Sequence, residues 1–151
     1  MKKLTILTAA CLALAAGPAR AALTAAGAYV LDGSGNQRTA FTNTETIGLR
    51  QVVSNSAATE NMILFTFTIY NPSGGAVFRH TGNSARGTLG DSNSQLAGLA
   101  ISRFYGVPGL YKFRAEATLE GQTVIQEATF QVSSPNINLI YPPYGAKGLN
   151  D

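Results

Sequence analysis

Cysteine, tryptophan and histidine are close to absent: 151 residues hold one Cys, no Trp and one His. The single thiol, Cys11, lies in the first apolar stretch. Once that stretch is removed, no disulfide framework, thiolate nucleophile or Cys-ligated zinc or iron–sulfur centre can form within one chain. Charge is scarce too, at 13% of residues. Beyond the N-terminal stretch, no segment has the roughly 18 apolar residues that span a bilayer as a helix. Internal repeats and low-complexity tracts are missing, which argues against a solenoid or a linker-joined pair of domains. Helical period with a capping signature is nowhere sustained past the N-terminal stretch.

What is present begins with residues 1–21. Lys2 and Lys3 precede an apolar run over 4–16, Gly17-Pro18 breaks it, and Ala19-Arg20-Ala21 offers small residues where a signal peptidase reads. A secretory signal peptide cut between Ala21 and Ala22 is the expectation, preferred over an uncleaved anchor (the run is short) and over a lipoprotein signal at Cys11 (no leucine three positions ahead). Cleavage would remove Lys2, Lys3 and Arg20 and leave eight basic residues against eight acidic ones. A balanced chain has no electrostatic footing on nucleic acid or anionic lipid, so neither partner is expected, nor is a membrane span after processing. The expected location is the periplasm, the cell surface or the extracellular space. The remaining length suits one domain.

Strands announce themselves by period two. In 61–71, Ile63, Phe65, Phe67 and Ile69 share one face and Met62, Leu64, Thr66, Thr68 and Tyr70 the other, which suits a central strand covered on both sides. Residues 110–119 alternate more sharply, Tyr111, Phe113, Ala115, Ala117 and Leu119 against Lys112, Arg114, Glu116 and Thr118. After Glu120-Gly121 the pattern resumes in 122–133, where Val124, Ala128, Phe130 and Val132 oppose Ile125, Glu127, Thr129 and Gln131, so the two runs read as a hairpin. Residues 28–31 and 38–42 around Asp32-Gly33-Ser34-Gly35-Asn36 read as a second hairpin. Further strands are expected at 46–53, at 76–80 (short), around Leu99 and Ile101, and at 137–141. Asn71-Pro72-Ser73-Gly74-Gly75 and Val107-Pro108-Gly109 supply turn chemistry, and 81–94, rich in Gly, Ser, Asn and Thr, reads as the longest loop. About seven to eight short strands argue for an all-β antiparallel sandwich. The expected organisation is a leader at 1–21, an N-terminal arm or hairpin at 22–45, the sandwich at 46–135, and a terminal strand with a Pro/Tyr tail at 136–151.

The segment from Pro108-Gly109-Leu110-Tyr111 through Phe130-Gln131-Val132 resembles the closing hairpin of immunoglobulin-like domains of exported bacterial proteins. The resemblance implies a structural corner at Pro108, Gly109 and Tyr111, with the Tyr111 hydroxyl returned to backbone. It does not extend to antibody-type members, because the inter-sheet cysteine pair and the tryptophan are missing.

Four chemical readings compete with plain structure. Gly90-Asp91-Ser92-Asn93 matches the nucleophile block of one esterase family, but His80 precedes the serine and has no aspartate three residues before it, so a surface turn explains the block. Asp32, Ser34 and Asn36 have the two-residue spacing of calcium ligands, yet Gln37 and Asn43 stand where glycine and glutamate belong, and a hairpin turn suffices. Glu116 and Glu127 read as a solvated strand face paired to Lys112 or Arg114 rather than as a glycosidase pair. Phe104, Tyr105, Tyr141 and Tyr144 could make an aromatic platform for sugar rings, although tryptophan, the commonest stacking group, is lacking. No catalytic residue, metal ligand or cofactor is assigned. The chain's two ends add a contact hint: Leu23, Ala25, Gly27, Tyr29 and Leu31 alternate along an arm able to pair with a neighbour's sheet edge. The expected function is therefore contact with a protein partner or a second copy, as in a fibre subunit, through candidates Leu23, Tyr29, Phe104, Tyr105 and Tyr144. A carbohydrate-binding module is the first alternative and a small serine esterase the second.

Overall fold

The computed structural model describes residues 22–56, 61–86, 90–104 and 106–135. Among the described residues eight strands make two facing sheets: β1 Leu23–Leu31, β2 Ala40–Thr42, β3 Thr46–Asn55, β4 Asn61–Tyr70, β5 Ala76–Arg86, β6 Gly90–Ala100, β7 Gly109–Leu119 and β8 Gln122–Ser133. One sheet has the order β1-β3-β6 and the other β2-β8-β7-β4-β5. The protein is an all-β sandwich. A 3₁₀ turn, Ile101–Phe104, follows β6 on the way to β7.

The core is built where the alternation is sharpest. Ile63, Phe65, Phe67 and Ile69 of β4, Tyr111, Phe113, Ala115 and Ala117 of β7, and Phe130 and Val132 of β8 are buried against Ile47, Leu49 and Val53 of β3 and Val30 of β1. Each large side chain so buried contributes roughly 1.5–3 kcal/mol of transfer free energy. The alanines of β7 keep the middle of the sandwich thin while the rings fill its end. There Tyr111 stacks on Phe130 with centroids 5.4 Å apart, Phe41 meets Phe130 edge-on at 5.9 Å, and Phe104 tilts against Tyr111 at 5.8 Å. The β7–β8 turn places Glu120 and Gly121 at φ 49° and 81°, the paired positive angles of a two-residue hairpin.

Several sequence expectations are corrected. Residues 28–31 and 38–42 do not form a hairpin. Contact between them is limited to the Arg38 N–H donating to Val30 O (2.9 Å) next to an isolated Leu31–Gln37 bridge, and β2 then crosses to the other sheet, where it runs parallel to β8, so the sandwich is not wholly antiparallel. The Asp32 carboxylate accepts from the Ser34 and Asn36 N–H groups (2.9 and 3.0 Å), which closes the turn that releases the chain towards β2. Alternation along β1 breaks at a bulge: Ala25 pairs with Val53 and Gly27 with Val52, so Ala26 is the extra residue. The core-facing positions thereby change phase, Leu23 before the bulge and Ala28 and Val30 after it, and Tyr29 faces away from Leu23's side.

The strand expected at 76–80 continues to Arg86, and β6 begins at Gly90, so most of the expected loop 81–94 is strand. Its polar residues obscure the pattern because both strands are sheet edges, held on one side by the apolar β4 and by β3. Ile101 belongs to the 3₁₀ turn, not to a strand. The outer face of β4 is covered only in part: Thr66 and Thr68 are buried, whereas Met62 and Leu64 are 57% and 41% exposed. The expected strand 137–141 lies outside the described residues.

Candidate contact surfaces

Of the four outermost strands, β1 is already occupied along part of its edge. Gln122 on β8 clamps the backbone of Leu23: its Oε1 accepts from Leu23 N and its Nε2 donates to Leu23 O, both at 3.0 Å. Four residues on, the Gln126 amide, oriented by the groups around it, reaches the bulge. Its oxygen accepts from Ala26 N (3.2 Å) and Gly27 N (2.5 Å), and its nitrogen donates to Gly27 O (3.2 Å) and Val52 O (3.3 Å). The buried Gln51 amide lies 3.2 Å from it and donates to Ala115 O at 3.3 Å. These glutamines substitute side-chain amides for a neighbouring strand, so the bulge buries no orphaned peptide group. The Tyr29 ring lies over the space a Gly27 side chain would fill.

On the opposite side of the sandwich, β5 and β6 end their respective sheets and run past each other. Phe78 and His80 pair with Ile69 and Phe67 and so share the core-facing side of β5. Phe78 packs partly against the core, yet His80 is exposed, because β6 does not cover all of β5. Between them opens a cleft of about 230 Å³ lined by Phe78, His80, Leu96, Ala97, Gly98, Leu99 and Arg103. A bulge shapes its rim: Leu49 pairs with Leu96 but Ile47 with Leu99, and Gly98 sits at φ 70°.

The outer face of the five-stranded sheet carries charges in pairs. Lys112 meets Glu127 at 3.3 Å and Arg114 meets Glu116 at 2.8 Å, while Lys112 also lies over the Tyr70 ring at 5.1 Å. Exposed pairs of this kind contribute less than about 1 kcal/mol each. Apolar exposure is scattered over Met62, Leu64 and Ile125 at one end and Val107 and Leu110 at the other.

The predicted contact residues do not converge. Leu23 and Phe104 are core residues, 2% and 1% exposed, and cannot serve as open contacts. Tyr29 is half-buried on β1. Tyr105, Tyr141 and Tyr144 lie outside the described residues, as do Ala19 and Ala21. Ala22 is the first described residue, its N–H donating to Ser56 Oγ at 2.8 Å. Pro108 is exposed, Gly109 takes φ 145° against Pro72, and the Tyr111 hydroxyl donates to Val107 O at 2.9 Å. Burial raises the Tyr111 pKa above the usual phenol value. Ser92 is fully buried near the start of β6, where a substrate carbonyl has no access, which corrects its reading as a surface-loop residue. Among the described residues no cluster of His, Cys, Asp and Glu could hold a metal ion. The cleft has no local signature in the sequence, because Phe78 and His80 on the expected strand 76–80 meet Leu96, Leu99 and Arg103 only through the packing of the two sheets.

No protein-family model matches this chain, and no curated protein matches it. Solved structures resemble it in fold. The chain is similar to the C-terminal domain of wzt, with a TM-score of 0.52 at 8% identity over 74% of each chain. It is similar to part of a β-glucosidase from Erythrobacter marinus (TM-score 0.52, 12% identity), covering 75% of this chain and 16% of that one. It is also similar to part of Bacteroides uniformis β-glucuronidase 2 (TM-score 0.51, 14% identity), covering 72% of this chain and 13% of that one. This chain therefore spans a small fraction of the two enzymes' length, and at such identities the likeness is one of fold alone.

Proposed function

We propose that this protein is an exported, non-catalytic immunoglobulin-like domain that acts by contact with a partner protein at the cell envelope or surface. The observation that carries the reading is the pair of strand edges, β5 and β6, left side by side around a cleft of mixed apolar and polar lining, while the inward-facing serine of the esterase-like block is sealed in the sandwich. Three features support the immunoglobulin-like part. The strand order sets β1-β3-β6 against β2-β8-β7-β4-β5, the N-terminal region contributes a strand to each sheet, and a tyrosine at the start of β7 returns its hydroxyl to backbone four residues earlier. The basic and apolar leader with Ala19 and Ala21 supports export. A fibre built by donating the N-terminal arm loses support, because β1 is paired to β3 and clamped by Gln122 within its own fold. The glycan reading loses Phe104 from its platform.

The test is chemical cross-linking in the producing cells followed by capture from separated envelope and medium fractions, with N-terminal sequencing of the captured chain. A chain beginning at Ala22 and cross-linked to one reproducible protein is the expected result. Ester turnover by purified protein that Ser92→Ala abolishes, saturable glycan binding, or recovery only from the cytoplasm would overturn it.

A further inference from the structure

Edge strands offer their unpaired N–H and C=O groups to any extended chain, and soluble proteins blunt them with proline, lysine, shortness or a cover. β2 is three residues long, β1 is clamped by glutamine amides, and β5 carries the exposed Arg79. β6 differs. It is eleven residues long, contains no proline, lysine or arginine, and has no strand beyond it among the described residues. Its bulge at Gly98 opens onto the cleft rather than blocking the edge below it. Phe78, Leu96 and Leu99 give that cleft an apolar part beside the polar His80 and Arg103, with room for a side chain of an incoming strand. Among the described residues none that lines it is acidic, and Arg103 gives it a cation. Arg38, Lys112 and Arg114 each hold a carboxylate, whereas Arg103 has no acidic partner among the described residues.

We infer that β6 and its cleft receive an extended peptide segment of a partner protein, added as a strand along β6, with an apolar side chain in the cleft and a carboxylate on Arg103. This rests on the contact reading above and names its site and the chemistry of its partner. Backbone pairing supplies most of the affinity, and the cleft and the arginine set which segment binds and in what register.

The test is fluorescence anisotropy of purified protein against an array of short capped peptides that alternate threonine with one apolar residue type and carry a single glutamate at each position in turn. Saturable binding is expected for peptides with the glutamate at one or two neighbouring positions. Replacing that glutamate by glutamine should weaken binding about tenfold, the worth of one charge-assisted hydrogen bond. Arg103→Ala should cause the same loss for the glutamate peptide and almost none for the glutamine peptide. N-methylation of alternate backbone nitrogens on the pairing edge should abolish binding. Arg103→Ala alters an exposed side chain and leaves the fold intact, so the comparison stands on folded protein. No binder in the array, equal binding after N-methylation, equal losses for both peptides on Arg103→Ala, or dimerisation through β6 on sizing would each overturn the inference. Cross-linking to an envelope protein that persists in Arg103→Ala would overturn this site while leaving the contact function standing. Serine-dependent ester turnover would remove the contact reading itself.

Discussion

Replacing Gln126 by leucine tests whether facing-sheet amides close the β1 bulge. The substitution keeps approximate volume on a half-buried position but removes both acceptor and donor from Ala26, Gly27 and Val52. A lost hydrogen bond costs about 1 kcal/mol where water can substitute and up to about 3 where it cannot. Ala26 is exposed and Gly27 half-buried, so the two N–H groups together should cost about 2 kcal/mol. For a domain of this size that is a fall of about 8 °C in Tm, and about 1 M in the urea midpoint if m is about 2 kcal/mol/M. Without tryptophan, unfolding is best followed by far-ultraviolet circular dichroism, with hydrogen exchange reporting Ala26 and Gly27 individually. Both amides should exchange faster in Gln126→Leu while those at the centre of β4 follow only the global loss. Thr129→Leu, on the exposed face of the same strand, is the control and should change stability by less than about 0.5 kcal/mol. An unchanged midpoint, or a loss of stability with Ala26 and Gly27 still as protected as in the parent, would refute the argument.

Tyr111→Phe keeps the ring against Phe130 and Phe104 and removes only the bond to Val107 O, so urea unfolding should show a loss of about 1 kcal/mol, against about 3 kcal/mol for Tyr111→Leu, which also forfeits the ring contacts. Gly109→Ala should be the worse of two glycine substitutions by thermal melting, because its Cβ would meet Pro72 Cγ at 2.5 Å at φ 145°; Gly121→Ala, at φ 81° with open space around it, should cost only about 1 kcal/mol. The Thr42 N–H first, and Arg38 next, hold the Glu45 carboxyl below its ordinary value, so its contribution is complete above the unfolded carboxylate pKa and disappears as pH falls through the lower folded value. Urea midpoints measured across that acid range should fall less steeply in Glu45→Gln than in the parent.

Legibility tracked how many faces of a strand touch the core. β4, β7 and β8 alternate apolar with polar or smaller residues along most of their length, and the register of β7 and β8 around Glu120-Gly121 follows directly from that. β5 and β6 were hidden because Ser, Asn, Gly and Thr on edge strands look like a loop, and only pairing with β4 and β3 makes them strands. The Ala26 bulge left no local mark beyond Gly27, so a period-two count from Leu23 placed Tyr29 on the wrong face. Parallel pairing of β2 with β8 joins residues some ninety positions apart and has no local signature at all. As for the candidate site, Arg103 and Phe78 carry ordinary surface and strand chemistry in one dimension, and only the unequal width of the sheets brings them to one cleft.

The short parallel ladder between β2 and β8 has a mechanical meaning. Because both strands run the same way, tension that draws the chain before Thr39 and the chain after Ser133 apart slides them lengthwise past each other. The bonds from Gln131 N to Thr39 O (2.7 Å) and from Asn43 N to Ser133 O (2.9 Å) then share the load instead of opening one at a time. Force applied between Thr39 and Ser133 thus meets a shear clasp, whereas force applied at Ala22 loads the β1–β3 pairing first.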